Sequence, residues 1–143
     1  MNVAQILKHK GREVLTIAPH HDLGLAAEML HKRRVGAVVV ADAAGAVLGI
    51  LSERDIVRAV GLRGADALPE PVSKHMTANP TTVGEDTAVD ELMHMMTEGR
   101  FRHLPVVEGG RLVGIVSIGD VVKNHVDVLN HERDSLREYI ATA

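Results

Sequence analysis

Two stretches of this chain carry side chains suited to chemistry at the start of a helix. They read Gly49-Ile50-Leu51-Ser52-Glu53-Arg54-Asp55 and Gly114-Ile115-Val116-Ser117-Ile118-Gly119-Asp120, and share the pattern Gly-x-x-Ser-x-x-Asp. Each lies where a Val/Ile/Leu run gives way to a helical pattern. A glycine at such a point lets another group approach the backbone closely. The serine falls at the helix N-cap, where free N–H groups and the helix dipole favour an anion. The aspartate faces the same end, and its carboxylate can accept two hydrogen bonds, which suits a vicinal diol such as a ribose. The same residues also spell a capping box, which only closes the helix N-terminus. Both readings stand at this level, because a duplicated fold unit preserves caps as well as sites.

Other chemistries lack their parts. The chain of 143 residues has no cysteine, which excludes disulfides, thiolate metal sites and cysteine nucleophiles. Its nine histidines are scattered and form neither His-x-x-x-His nor His-Glu-x-x-His, so no metal is expected. The run around Ser117 is not a nucleophile elbow, since Ile115 stands where glycine is required. Neither a Walker sequence nor Gly-x-Gly-x-x-Gly occurs. No enzyme activity, catalytic residue or required cofactor is therefore expected. A net charge of −3 and only two aromatic residues, Phe101 and Tyr139, argue against DNA and base-stacking platforms. Apolar runs such as residues 35–41 are far below the ~20 needed to span a bilayer. The N-terminus does not read as a secretory signal, and a cytoplasmic protein without membrane partners is expected.

The elements that position the motifs occur twice. Gly45, Gly49, Ile50, Ser52, Asp55 and Val57 recur as Gly110, Gly114, Ile115, Ser117, Asp120 and Val122; Thr16, Met29, Arg34 and Val40 recur as Thr82, Met95, Arg100 and Val106. The offset changes from 66 to 65 near Ala43, which marks one residue missing from the second copy. The leading segments 3–7 and 72–76 also resemble each other. The periodicity predicts, in each copy, a short extended piece ending at Thr16-Ile17 or Thr82-Val83, then a helix over 22–32 or 87–98. A Val-rich strand (37–41 or 104–107), a glycine turn, a second strand (47–51 or 112–116) and a helix from Ser52 or Ser117 follow. This strand-helix-strand-strand-helix order points to an α/β, or α+β, sandwich of two pseudo-symmetric repeats packed as one body. The expected boundaries are 1–62 for the first repeat, 63–71 for a linker, 72–125 for the second repeat and 126–143 for a helical extension. In the last segment Leu129, Leu136 and Ile140 continue the helical spacing of Val122 and Val126, either covering the module or adding to a dimer contact.

The duplication, the unit size and both Gly-hydrophobic-x-Ser-x-x-Asp motifs resemble a tandem pair of cystathionine-β-synthase-type (CBS) domains, a Bateman module. Arg102-His103-Leu104-Pro105-Val106-Val107 with the following Gly110 and 112–117, and Ser52-Glu53-Arg54-Asp55-Ile56-Val57, carry the resemblance over nearly the whole chain. It implies a stand-alone, bacterial-type regulatory pair that binds an adenosine-containing ligand between its repeats. AMP comes first, with ADP, ATP, NAD(H) and S-adenosylmethionine as alternatives. It further implies that Asp55 and Asp120 hold the ribose hydroxyls, with Ser52 and Ser117 near the ribose or phosphate. Gly36-Ala37-Val38 and His103-Leu104-Pro105 would line the adenine pocket, and Thr16 and Thr82 would close it. Two pairs would associate into a homodimer that signals to an effector protein. The two sites are not equivalent in sequence. Arg54 would be a phosphate contact in the first motif where the second has Gly119, and Arg102 and His103 have only neutral counterparts in Gly36 and Ala37. Arg34 and Arg100 read either as further ligand cations or as solvated helix-end charges. The alternative function is an interaction protein that binds no ligand and whose motifs are only caps.

Overall fold

The computed structural model describes residues 1–142; Ala143, the end of the expected extension, lies outside the described residues. The chain runs through α1 (Val3–Lys10), β1 (Thr16–Ile17), α2 (Leu23–Arg33), β2 (Ala37–Ala41), β3 (Val47–Ser52) and α3 (Glu53–Arg63). Short 3-10 turns at Gly64–Ala67 and Val72–Lys74 follow. Then come β4 (Thr77–Ala78), α4 (Val89–Gly99), β5 (His103–Glu108), β6 (Arg111–Ser117) and α5 (Ile118–Thr142). The mixed α+β architecture and the duplicated order are those expected. In the second copy the leading extended piece shrinks to a single parallel bridge, Val83 to Val106.

Local chemistry starts the helices. Asn2 and Gln5 form a reciprocal capping box at α1. The Asp22 carboxylate accepts the Leu25 N–H at 2.8 Å and opens α2. Counted from the start of the first strand to the end of the second, 37–52 against 103–117, the hairpins differ by the one residue that the change of offset implied. β2 and β3 enclose residues 42–46, with Gly45 at φ +85°, whereas β5 and β6 turn through Gly109 and Gly110 at φ +57° and +78°. Two adjacent positive φ values are the geometry of a tight hairpin turn, which glycine adopts without steric cost.

Each repeat lends its leading segment to the other. Val3, Ile6 and Leu7 of α1 are buried with Leu92, Met96, Leu104, Val106 and Val116 of the second repeat. Val72 is buried with Leu23, Val38, Val40 and Leu51 of the first. β4 then extends the first sheet, pairing antiparallel with β3, so the order is β1-β2-β3-β4 beside a separate β5-β6 ribbon. The motif glycines are where these segments dock. A Cβ on Gly114 would stand 2.8 Å from both Leu7 methyl groups, and one on Gly49 would stand 2.8 Å from the Thr77 carbonyl oxygen. The group that approaches each motif glycine is thus the chain's own leading segment.

The two leading segments resemble each other in sequence but differ in conformation. The first forms eight residues of helix and ends on Gly11 at φ +100°. The second makes one 3-10 turn and a two-residue strand. Pro71 stands where α1 has Asn2, so the second segment has no counterpart of the α1 capping box.

α5 is one continuous helix of 25 residues, with Val121 buried against the second repeat's core. Its Val122, Val126, Leu129, Leu136 and Ile140 are 47–65% exposed. That face does not cover the module, so the first of the two readings of this segment falls.

Candidate functional site

A cleft of about 300 Å³ opens between the repeats. One wall is the start of α3 with the turn before β2: Gly36, Ser52, Glu53, Arg54 and Asp55. The facing wall is the end of α4 and the start of β5: Arg100, Phe101, Arg102 and His103. The chain leaving β4 closes the third side with Thr77, Asn79, Pro80 and Thr81. Gly36 lies where the repeats meet: a Cβ on it would make ordinary van der Waals contact, 3.4 Å from His103 Cε1 and 3.7 Å from Glu53 Oε1.

The capping box forms in both motifs. Asp55 Oδ2 accepts the Ser52 N–H at 2.8 Å and the Ser52 hydroxyl at 3.1 Å, and the Ser52 hydroxyl oxygen accepts the Asp55 N–H at 3.4 Å. Asp120 Oδ2 accepts the Ser117 N–H at 2.8 Å, and Ser117 Oγ accepts the Asp120 N–H at 3.2 Å. The cap does not consume the whole Asp55 carboxylate. Its Oδ1 carries only a 3.3 Å contact from Arg58, a side chain 67% exposed and weakly held in water. A carboxylate can therefore serve the cap with one oxygen and a ligand with the other.

Six of the fourteen expected site residues meet in this cleft: Gly36, Ser52, Arg54, Asp55, Arg102 and His103. The others stand elsewhere. Ala37, Val38 and Leu104 are buried in the repeat cores, and Pro105 is buried in β5, where its carbonyl accepts the Val83 N–H. Thr16 lies in a surface depression beside the first hairpin. Thr82 is exposed, and its neighbour Thr81 faces the cleft instead. Ser117 and Asp120 are outside the cleft, and Asp120 is paired with Lys10 at 2.6 Å. Sequence reasoning missed Ile50, Glu53, Thr77, Asn79, Pro80, Thr81 and Phe101. The run Asn79-Pro80-Thr81 between two extended pieces was the one legible signal for a loop on the cleft.

Arg100 stands both at a helix end and on the cleft. It ends α4 in the left-handed region at φ +56°, as Arg34 ends α2 at φ +53°. That conformation costs a non-glycine residue about 1–3 kcal/mol. Arg100 lines the cleft, whereas Arg34 lines a separate depression between α2 and α3. Three guanidinium groups therefore face two carboxylates in the cleft, leaving it cationic.

His103 joins the cleft to the second motif. Burial, aided by the Lys10 and Arg102 charges, holds its pKa below the usual histidine value against the pull of Asp120 and Glu53. The folded protein resists protonating it where the unfolded chain does so near pH 6.5. Its effect on stability is therefore absent above that pH and grows unfavourable as pH falls from about 6.5 towards the folded-state value. Urea unfolding of the wild type and His103→Gln from pH 8 to 5.5 should show the wild type losing ground to the variant over that window. A constant difference across the range would refute this assignment. For Asp120, burial favours the neutral acid, but hydrogen bonds from Lys10 and Ser117 with the Lys10 charge outweigh it and hold the carboxyl below its usual range.

Among the described residues no three His, Asp or Glu side chains gather as a metal site. No helix there is long and apolar enough to cross a membrane.

Comparison with known proteins adds the following. The sequence model of the CBS domain matches twice, at residues 3–62 and 72–127. A 17.7 kDa uncharacterized protein of Acidianus ambivalens is 39% identical over 88% of this chain and 74% of its own length. In the Arabidopsis thaliana CBS domain-containing protein CBSCBSPB5, the chain spans 19% of the length at 38% identity. The crystal structure of the CBS-domain containing protein ATU1752 from Agrobacterium tumefaciens superposes with a TM-score of 0.84 at 51% identity, covering 87% of this chain and 99% of that one. The CBS domain protein PAE2072 from Pyrobaculum aerophilum, complexed with AMP, gives 0.76 at 29% identity over 84% and 89% of the two chains. The CBS pair of protein MJ0100, in complex with 5'-methylthioadenosine and S-adenosyl-L-methionine, gives 0.79 at 26% over 87% and 99%.

Proposed function

The chain belongs to the CBS-domain family, and from that premise we propose that it is a regulatory module that binds an adenosine nucleotide in the cleft between its repeats. The observation that carries this reading is the Asp55 carboxylate, with one oxygen outside the cap, in a cleft edged by Arg54, Arg100 and Arg102. A carboxylate suits a ribose diol. Guanidinium groups suit phosphate, which they bind through paired hydrogen bonds. The cationic edge favours a nucleoside phosphate over a ligand that carries a positive sulfonium. AMP is the first candidate, supported by the relative complexed with it.

Regulation follows from where the ligand sits. The walls come from both repeats, so a ligand that binds one arrangement of them better shifts the population towards it by that difference in affinity. The output passes to another protein. The exposed apolar faces of α3, with Val57 and Leu62, and of α5 suit a homodimer.

Thermal unfolding with AMP, ADP, ATP, NAD, NADH and S-adenosylmethionine tests the reading, with sedimentation of the same samples to give the mass. A ligand at 100 times its Kd stabilises the fold by about 2.7 kcal/mol. That raises Tm by about 5–10 °C for a chain of this size. A shift with AMP exceeding that with S-adenosylmethionine, on a species of twice the chain mass, is expected. No shift with any ligand at millimolar concentration would leave the motifs as caps and the exposed helices as the working surface.

A further inference from the structure

We propose that Lys10 is a built-in counter-charge on the second motif's carboxylate, weakening that half of the module as a ligand site so that each chain takes one adenosine ligand. The proposal rests on the reading of the first cleft as a nucleotide site and adds what distinguishes the second.

The observation is a pair of contacts across the exchanged segment. Lys10 Nζ donates to Asp120 Oδ2 at 2.6 Å and to the Ile115 carbonyl oxygen at 2.8 Å. Both acceptors belong to the second Gly-x-x-Ser-x-x-Asp motif. Oδ2 also accepts the Ser117 N–H, so cap and ammonium share one oxygen. Lys10 is not a free surface lysine. It is the last residue of α1, which is fixed by the buried Val3, Ile6 and Leu7 and by backbone bonds from Val3 to Thr87 and from Ala4 to Glu85. Anchoring the stem lowers the entropy lost in holding the head group on its acceptors.

The first cleft supplies the internal comparison. Leu7 packs on Gly114 as Met76 packs on Gly49, so the two leading segments align at these residues. Three residues further on lie Lys10 and Asn79. Asn79 is short and neutral, stands at φ +48° and borders the open cleft. The helix in one segment and the short strand in the other therefore place a cation on Asp120 and leave the Asp55 cleft open. Asp120 Oδ1 is left, but a ribose diol reaching it would meet a carboxylate whose charge the ammonium already neutralises.

The test counts bound AMP by isothermal titration with the wild type, Lys10→Met, Lys10→Met/Asp120→Asn and Lys10→Met/Asp55→Asn. Methionine keeps the unbranched stem and a similar helix propensity, and circular dichroism checks folding; Lys10→Gln is the alternative should the methionine variant misfold. One equivalent per chain in the wild type and a second, weaker equivalent in Lys10→Met are expected. Asp120→Asn should remove the second, and Asp55→Asn the first. Two equivalents in the wild type, or no added binding in Lys10→Met, would overturn the proposal. A wild type that binds no AMP would sink the nucleotide reading by itself. The latch would still be judged by whether Lys10→Met acquires a site that depends on Asp120.

Discussion

Asp55→Asn lowers the affinity for AMP about 10- to 150-fold while leaving Tm within about 2 °C of the wild type. The first figure is the loss of a hydrogen bond to a charged group, about 1.5–3 kcal/mol, converted at 1.4 kcal/mol per tenfold. The second follows from the cap. The asparagine still offers an oxygen to the Ser52 N–H, now at 2.8 Å from Asp55 Oδ2, so the helix start survives. Asp55→Ala removes both functions and should add about 1 kcal/mol of destabilisation to the same loss of affinity. The pair of variants thus separates the two roles that the sequence motif left superimposed. Titration calorimetry and thermal unfolding read them out, and an asparagine variant that binds AMP like the wild type would remove Asp55 from the site.

Leu7→Ala lowers Tm by about 4–20 °C. Leu7 is fully buried among second-repeat side chains although it belongs to the leading segment of the first. A Leu-to-Ala change at such a site costs about 2–5 kcal/mol, and each kcal/mol moves Tm by about 2–4 °C at this chain length. Gly114 cannot fill the void, because it has no side chain to move inwards. Leu129→Ala is the control. Leu129 is 51% exposed on α5, and such a surface change alters stability by less than about 0.5 kcal/mol. Equal effects from the two substitutions would mean that α1 does not dock as described. Loosening α1 also slackens the hold of Lys10 on Asp120, so Leu7→Ala should resemble Lys10→Met in admitting a second equivalent of AMP.

Much of the fold was legible because it is written locally. The apolar spacing of Leu23, Ala26 and Leu30 marks α2, and all three are buried. The glycines at 45, 109 and 110 mark turns because those turns need positive φ. The loss of one residue between hairpins was visible as a change in offset. Within the site, the legible part was what the two motifs and their neighbours spell: Ser52, Arg54, Asp55, Arg102 and His103 meet in the cleft. Thr16, Ala37, Val38 and Leu104 do not, because a sequence pattern names a segment but not which of its side chains faces the core.

The sequence by itself determined the duplicated unit, its strand-helix-strand-strand-helix order and both capped motifs, since each depends on residues within a few positions of one another. Only the tertiary structure decided that the leading segments cross over, that the cleft beside Asp55 stands open, and that Asp120 is held by Lys10, 110 positions away. The crossover buries each segment's apolar face against the other repeat, and that choice depends on how two nearly identical surfaces pack. The sequence offered two sites that differ in their flanking cations; the helix that ends on Lys10 and the strand that ends before Asn79 decided which carboxylate carries an ammonium and which borders the cleft.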